Sequence, residues 1–168
     1  MPTQARRGRS DHGSGSGSRL FSIDPGDDVK AILPLDGSVQ VFDPDVRALY
    51  STSTVPTLLL GASLTDVIAP RLQQMFDGLS AGPTVVGYAN FLLAAHSSFA
   101  DNCEVPEALR GRPAACEPEF VPWRHVRHIE NYLALNFFDA ALGGNAEASA
   151  RLDPAMLADV EEIAYQRK

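Results

Sequence analysis

The sequence predicts an α/β protein in which three short parallel strands are covered by helices. Three apolar runs, VKAILPL, VPTLLL and TVVGYANFLL, mark the strands, and VPTLLL is continuous rather than alternating, as a strand is when both faces of a sheet are buried. Apolar residues then recur at helical spacing between the second and third runs and again after the third. The order strand, strand, helix, strand, loop, helix, helix is that of a sheet with crossover helices. Three strands make a narrow sheet, so one edge is expected to expose backbone that wants a neighbour.

The first twenty residues, MPTQARRGRSDHGSGSGSRL, offer little side-chain area to bury and form a flexible segment, leaving residues 21–168 as the folded domain. Residues 29–35 are the first strand, bounded by Asp28 and by the turn dipeptide Asp36-Gly37. Residues 55–60 are the second, with Pro56 near its start, where a missing donor matters least. In residues 70–79 the stripe Leu72, Met75, Phe76 and Leu79 marks a helix. Residues 84–93 form the third strand, ending at Ala94-Ala95-His96.

Residues 97–122 hold Pro106, Pro113, Pro118 and Pro122 with both cysteines, Cys103 and Cys116. This is an excursion loop with one short helix around 106–110. The cysteine spacing fits a local disulfide or two free thiols, and not a four-ligand zinc site. Residues 123–142 form a long helix with Val126, Ile129, Leu133 and Phe137 facing the core and Gly143-Gly144 as its C-cap. A last helix is predicted from Asp153-Pro154 to about residue 165, with Asp153 as N-cap.

The chain has 168 residues, of which 45% are hydrophobic, enough for a buried core. With 14 basic against 21 acidic side chains, its net charge of −7 excludes a phosphate-gripping surface, so no nucleic-acid partner is expected. No apolar window is long enough to span a bilayer, and the N-terminus lacks the apolar core of a signal peptide, so the chain is expected to be soluble, its compartment open. Phosphate-loop, dinucleotide and metal-ligand motifs are missing. His125 and His128, three apart on a helix, read as packing or solvated side chains. No cofactor and no metal are expected.

Chemistry concentrates at strand ends. Asp66 and His96 each follow a predicted strand, and the C-terminal ends of parallel strands open onto the crevice where ligands bind. A carboxylate accepting from one imidazole nitrogen leaves the other free to act as a base. The bland alternative makes Asp66 a helix cap and His96 a loop residue.

The stretch LLLGASLTDVIAP, the thirty-residue interval from Asp66 to His96, AAHSSFADN and the following amphipathic helix resemble the C-terminal half of α/β-hydrolases. The likeness is greatest to bacterial cutinase-like, platelet-activating-factor-acetylhydrolase-like and dienelactone-hydrolase-like esterases. It implies a partial α/β-hydrolase fold, Asp66 as triad acid, His96 as general base, and a small ester or polyester as substrate. Ala94 stands where the family has glycine before its histidine. The family's nucleophile lies in G-x-S-x-G, and no complete copy occurs. Gly8-Arg9-Ser10-Asp11-His12 comes nearest, which nominates Ser10, with Ser14 second. Of the oxyanion donors, only the Asp11 N–H would come from this chain. Two readings follow: a Ser10–Asp66–His96 ester hydrolase, or a non-catalytic remnant that pairs with itself or with a complementing chain through its open edge.

Overall fold

The computed structural model describes residues 29–36, 53–64, 68–81, 85–100, 103–104 and 116–168. The elements are β1 (Thr57–Ala62), α1 (Ile68–Gly78), β2 (Val86–Phe91), α2 (Trp123–Gly143), α3 (Ala146–Arg151) and β3 (Ile163–Arg167). Together they make a small α/β fold with a three-stranded mixed sheet flanked by helices, in the order β1-β2-β3. The flexible segment expected at residues 1–20 and the short helix expected at 106–110 lie outside the described residues.

Both named strands read as apolar runs are present, and β1 pairs with β2 in parallel from Thr57–Val86 to Ala62–Phe91. Residues 29–36 lie along the other side of β1. Ile32 N–H donates to Pro56 O (2.9 Å), Leu58 N–H to Ile32 O (3.0 Å), Leu60 N–H to Pro34 O (3.1 Å) and Asp36 N–H to Leu60 O (2.7 Å). One rung of this parallel ladder is missing because Pro34 has no N–H. The expected first strand is therefore reduced to two bridges, Ile32–Thr57 and Leu35–Leu60.

The sequence prediction fails at residues 163–167. Instead of continuing a helix, they form β3, which pairs antiparallel to β2 with Phe91 opposite Ile163 and Gly87 opposite Arg167. Asp153 does cap a turn, accepting from Ala155 N–H at 2.9 Å, but that turn is a single 3-10 turn, Pro154–Met156. Beyond it Ile163 and Tyr165 point inward while Ala164 and Gln166 are exposed, a period of two rather than 3.6. The three runs predicted to be parallel strands are thus two parallel strands and a parallel edge segment, and an antiparallel strand that was not predicted joins them. β3 also fastens both layers. Arg167 donates to Ser149 O (2.6 Å) and Oγ (2.8 Å), and Lys168 Nζ donates to Asp77 O (2.9 Å) and Leu79 O (2.6 Å) at the end of α1.

Each face of the sheet has its own core. Ile68, Leu72, Met75 and Phe76 of α1 pack with Ile32, Leu59, Val86 and Tyr88. Val126, Ile129, Leu133 and Phe137 of α2 pack with Leu58, Leu60, Ala89 and Phe91 on the opposite face. Neighbouring residues of β1 enter different cores, which is why its sequence shows no polar alternation. α2 ends where Gly144 takes φ 63°, its N–H donating to Asp139 O. Asn145 then caps α3, its Oδ1 accepting from Glu147 and Ala148 N–H. Cys103 and Cys116 form a disulfide, which decides between the two states left open by their spacing.

Two tyrosines make the fold sensitive to alkali. Burial, and then the charge of Asp36, push the Tyr88 hydroxyl up to about 12. Burial likewise pushes Tyr165 up to about 12, with Arg167 lowering it and Asp153 raising it. A phenol whose folded pKa lies above its unfolded value of about 10 stabilises the fold fully below that pH. The contribution is lost as pH rises through the folded value, because the unfolded chain gives up its proton first. Folding stability should therefore fall between pH ~10 and ~12, with tyrosinate absorbance from these two side chains appearing together with the loss of far-ultraviolet ellipticity.

Candidate functional site

The centre of interest is a buried carboxylate joined to an exposed imidazole at the C-terminal end of the parallel strands. Asp36 is the last described residue of the edge segment. Its φ of 42° lies in the left-handed region, which aspartate tolerates better than most residues. The edge ladder would continue with Ala62 N–H donating to a backbone carbonyl; instead that N–H donates to Asp36 Oδ1 at 3.1 Å. The side chain thereby continues the ladder as the main chain turns away. Its other oxygen, Oδ2, lies 2.8 Å from Nδ1 of His96.

His96 opens a 3-10 turn, His96–Phe99, just past β2. Three features fix its position. Ser98, fully buried, accepts from Ala95 N–H through Oγ at 3.1 Å. Phe99 packs edge-on against Phe91 of β2, with ring centroids 5.2 Å apart. The turns leaving β1 and β2 are joined, Leu64 N–H donating to Ala94 O (3.1 Å) and Leu93 N–H to Ser63 Oγ (3.0 Å). Leu93 has φ 54°, so both non-glycine residues with positive φ among those described flank this site. Ala94 is buried without a positive φ and lends its carbonyl to that junction.

The pair is asymmetric in exposure: the His96 side chain is 63% exposed and that of Asp36 is fully buried. An ionised carboxylate can only accept, so the proton sits on Nδ1 and Nε2 carries the free lone pair. The buried acid fixes both the ring's orientation and its tautomer. Such an imidazole can take a proton from a hydroxyl or a water and return it to a leaving group.

Of the residues nominated from sequence, His96 is at the site. Ser10, Ser14 and Asp66 lie outside the described residues. The acid on Nδ1 is Asp36, which the sequence reading treated as half of a turn dipeptide. The signal that could have found it was present: Asp36 follows an apolar run directly, the same criterion that selected Asp66 and His96. Among the described residues no side-chain hydroxyl bonds to the imidazole; Ser63 and Ser98 are committed to the backbone bonds given above.

Beneath the site, two side chains approach Gly61 closely. A Cβ there would come within 2.8 Å of Leu72 Cδ1 and 3.3 Å of the Tyr88 hydroxyl. Tyr88 in turn donates to Ala69 O at 3.4 Å. Asn90, paired in register with Gly61, holds a buried amide oxygen with no hydrogen bond among the described residues.

His125 and His128 do not share a ligand set. His125 Nδ1 lies 3.3 Å from Glu162 Oε1, and both histidines line a surface groove beside α2. Among the described residues no three His, Cys, Asp or Glu side chains gather as metal ligands, and no helix is long and apolar enough to cross a membrane. No family model matches the chain, and neither a curated protein nor a solved structure does.

Proposed function

We propose that this chain is a carboxylic ester hydrolase-like protein in which His96 is the general base, Asp36 orients it, and Ser10 is the nucleophile. The observation that carries this reading is the 2.8 Å contact between a fully buried aspartate and Nδ1 of an otherwise exposed histidine at the carboxyl end of the sheet. A merely solvated histidine has no need of a desolvated acid, and a buried carboxylate is costly unless hydrogen bonds satisfy it. Here Ala62 N–H and the imidazole both do so.

In this mechanism Nε2 removes the Ser10 hydroxyl proton as Oγ bonds to the ester carbonyl carbon, and the carbonyl electron pair moves onto oxygen. Collapse re-forms the carbonyl and breaks the bond to the alcohol oxygen, which takes the proton from the imidazolium. Water then repeats the sequence on the acyl-enzyme and releases the acid. Asp36 holds the imidazolium by charge and keeps the ring aimed.

The second reading, a non-catalytic half-domain that pairs through its sheet edge, is supported by the exposure of Val29 and Leu35 on the edge segment. In that case the Asp36–His96 pair only ties two strand ends together. A fluorophosphonate probe separates the two readings without knowledge of the natural ester. A stoichiometric adduct on Ser10, absent from His96→Ala, is the expected result. A folded chain that takes up no probe would overturn the hydrolase reading.

A further inference from the structure

The chain that carries His96 leaves the sheet and comes back to it. It departs from β2 at Phe91, passes through the His96–Phe99 turn, and returns where Val121 N–H donates to Leu93 O at 3.0 Å, just before the α2 N-cap Pro122. The disulfide crosses between the two limbs, from Cys103 on the outgoing one to Cys116 on the returning one. Residues 93–103 and 116–121 are thereby closed into a ring, by the disulfide at one end and the Leu93–Val121 hydrogen bond at the other, and His96 is a member of it.

Within the ring, the shape of the turn and its place have different origins. Shape is local: Ala95 N–H donates to Ser98 Oγ, and the N–H groups of Ser98 and Ala100 donate to the carbonyls of Ala95 and Ser97. Place is set from outside. Upstream, the bonds of Leu64 to Ala94 and of Leu93 to Ser63 hold the exit from β2. Phe99 rests on Phe91, an apolar contact that keeps the turn near the sheet without fixing its rotation, because apolar attraction has no direction. Beyond Ala100, the outgoing limb has two polar or covalent ties among the described residues, the disulfide and an exposed Glu104–Arg124 ion pair at 3.6 Å. Such a surface pair contributes little, so the bridge is what holds the downstream side of the turn. The imidazole depends on that hold, since its bond to Asp36 Oδ2 is its one polar contact among the described residues.

The bridge is also within reach of a reductant. Cys103 and Cys116 are both half-buried and line a surface groove of about 350 Å³ with Pro118, Phe120 and Trp123. A dithiol that enters it can attack one Sγ as its thiolate, forming a mixed disulfide, and its second thiol then displaces the cysteine. Two cysteine thiols form, the reductant leaves as its own disulfide, and two electrons and two protons have passed to the protein.

We propose that the Cys103–Cys116 bridge is a redox clamp on His96: a dithiol reductant entering the groove opens it, and the released turn lets the imidazole leave Asp36. The proposal rests on His96 as the general base of the reading above. Fluorophosphonate labelling of the full chain before and after treatment with dithiothreitol tests it, with native alkylation and intact mass counting the two new thiols. Reduction is expected to slow labelling about tenfold or more, as a small misplacement of a catalytic group does, with far-ultraviolet ellipticity retained. The double substitution Cys103→Ser, Cys116→Ser should label as slowly as the reduced chain and ignore dithiothreitol. Long-range ¹H–¹⁵N spectra of the imidazoles, with His96 assigned by its loss in His96→Gln, read the clamp without any need of activity. The oxidised chain should hold the His96 proton on Nδ1, and the reduced chain should show an average of both tautomers. A His96 proton still fixed on Nδ1 after reduction, labelling unchanged by reduction, or a general loss of ellipticity would each overturn the proposal. A chain that takes up no probe in either state overturns the hydrolase reading instead, and the imidazole spectra alone then decide on the clamp.

Discussion

Asp36→Asn is expected to lower the rate of fluorophosphonate labelling, and of ester turnover, by about 10⁴-fold while leaving the fold in place. The asparagine oxygen can still accept from Ala62 N–H, the bond that Oδ1 makes at 3.1 Å, so the strand end keeps its anchor. What changes is the other contact. An amide NH₂ facing Nδ1 donates where the carboxylate accepted, the ring takes the tautomer with its proton on Nε2, and the nitrogen facing the substrate is no longer a base. Near-wild-type ellipticity with collapsed labelling is the predicted combination. Asp66→Asn is the companion experiment: if it alone abolishes labelling, the role assigned to Asp36 passes to Asp66.

Phe137→Ala should cost about 3–5 kcal/mol of folding stability. Phe137 is fully buried and packs into the core that joins α2 to the sheet. Its removal opens a cavity between two rigid elements that cannot collapse onto each other. Against a total of roughly 5–15 kcal/mol for a domain, that is a large share. A lowered urea midpoint at constant m-value checks it. Leu135→Ala, on the exposed face of the same helix, should move the midpoint little, within about 0.5 kcal/mol.

What the sequence made legible follows the range of the forces involved. α1 and α2 were readable because their stripes, Leu72-Met75-Phe76 and Val126-Ile129-Leu133-Phe137, are written at a local period. The apolar runs of β1 and β2 were readable because helices cover both faces. β3 was missed because what selects strand over helix at Ile163 and Tyr165 is the open edge of β2, far off in sequence. The first run was found, yet Pro34 reduced it to bridges, since a single missing donor has its effect only when a partner strand is present. At the site, His96 was located by its position after a strand. Asp36 was passed over because Asp-Gly has a simpler reading as a turn, and only the register against β1 shows that its side chain reaches inward.

The placement of β3 has a consequence for the order of folding. Its pairings with β2 span 72 to 80 residues, from Phe91–Ile163 to Gly87–Arg167, whereas β1 and β2 pair across 29. Closing the longer loop costs more chain entropy, so β3 is expected to join β2 after β1 has done so. The clasp that Lys168 makes on the end of α1, across 89 to 91 residues, is thus expected to shut late. Until it does, the β2 edge is an unpaired template held within a nascent chain, the stage at which this protein is most exposed to mispairing with its neighbours.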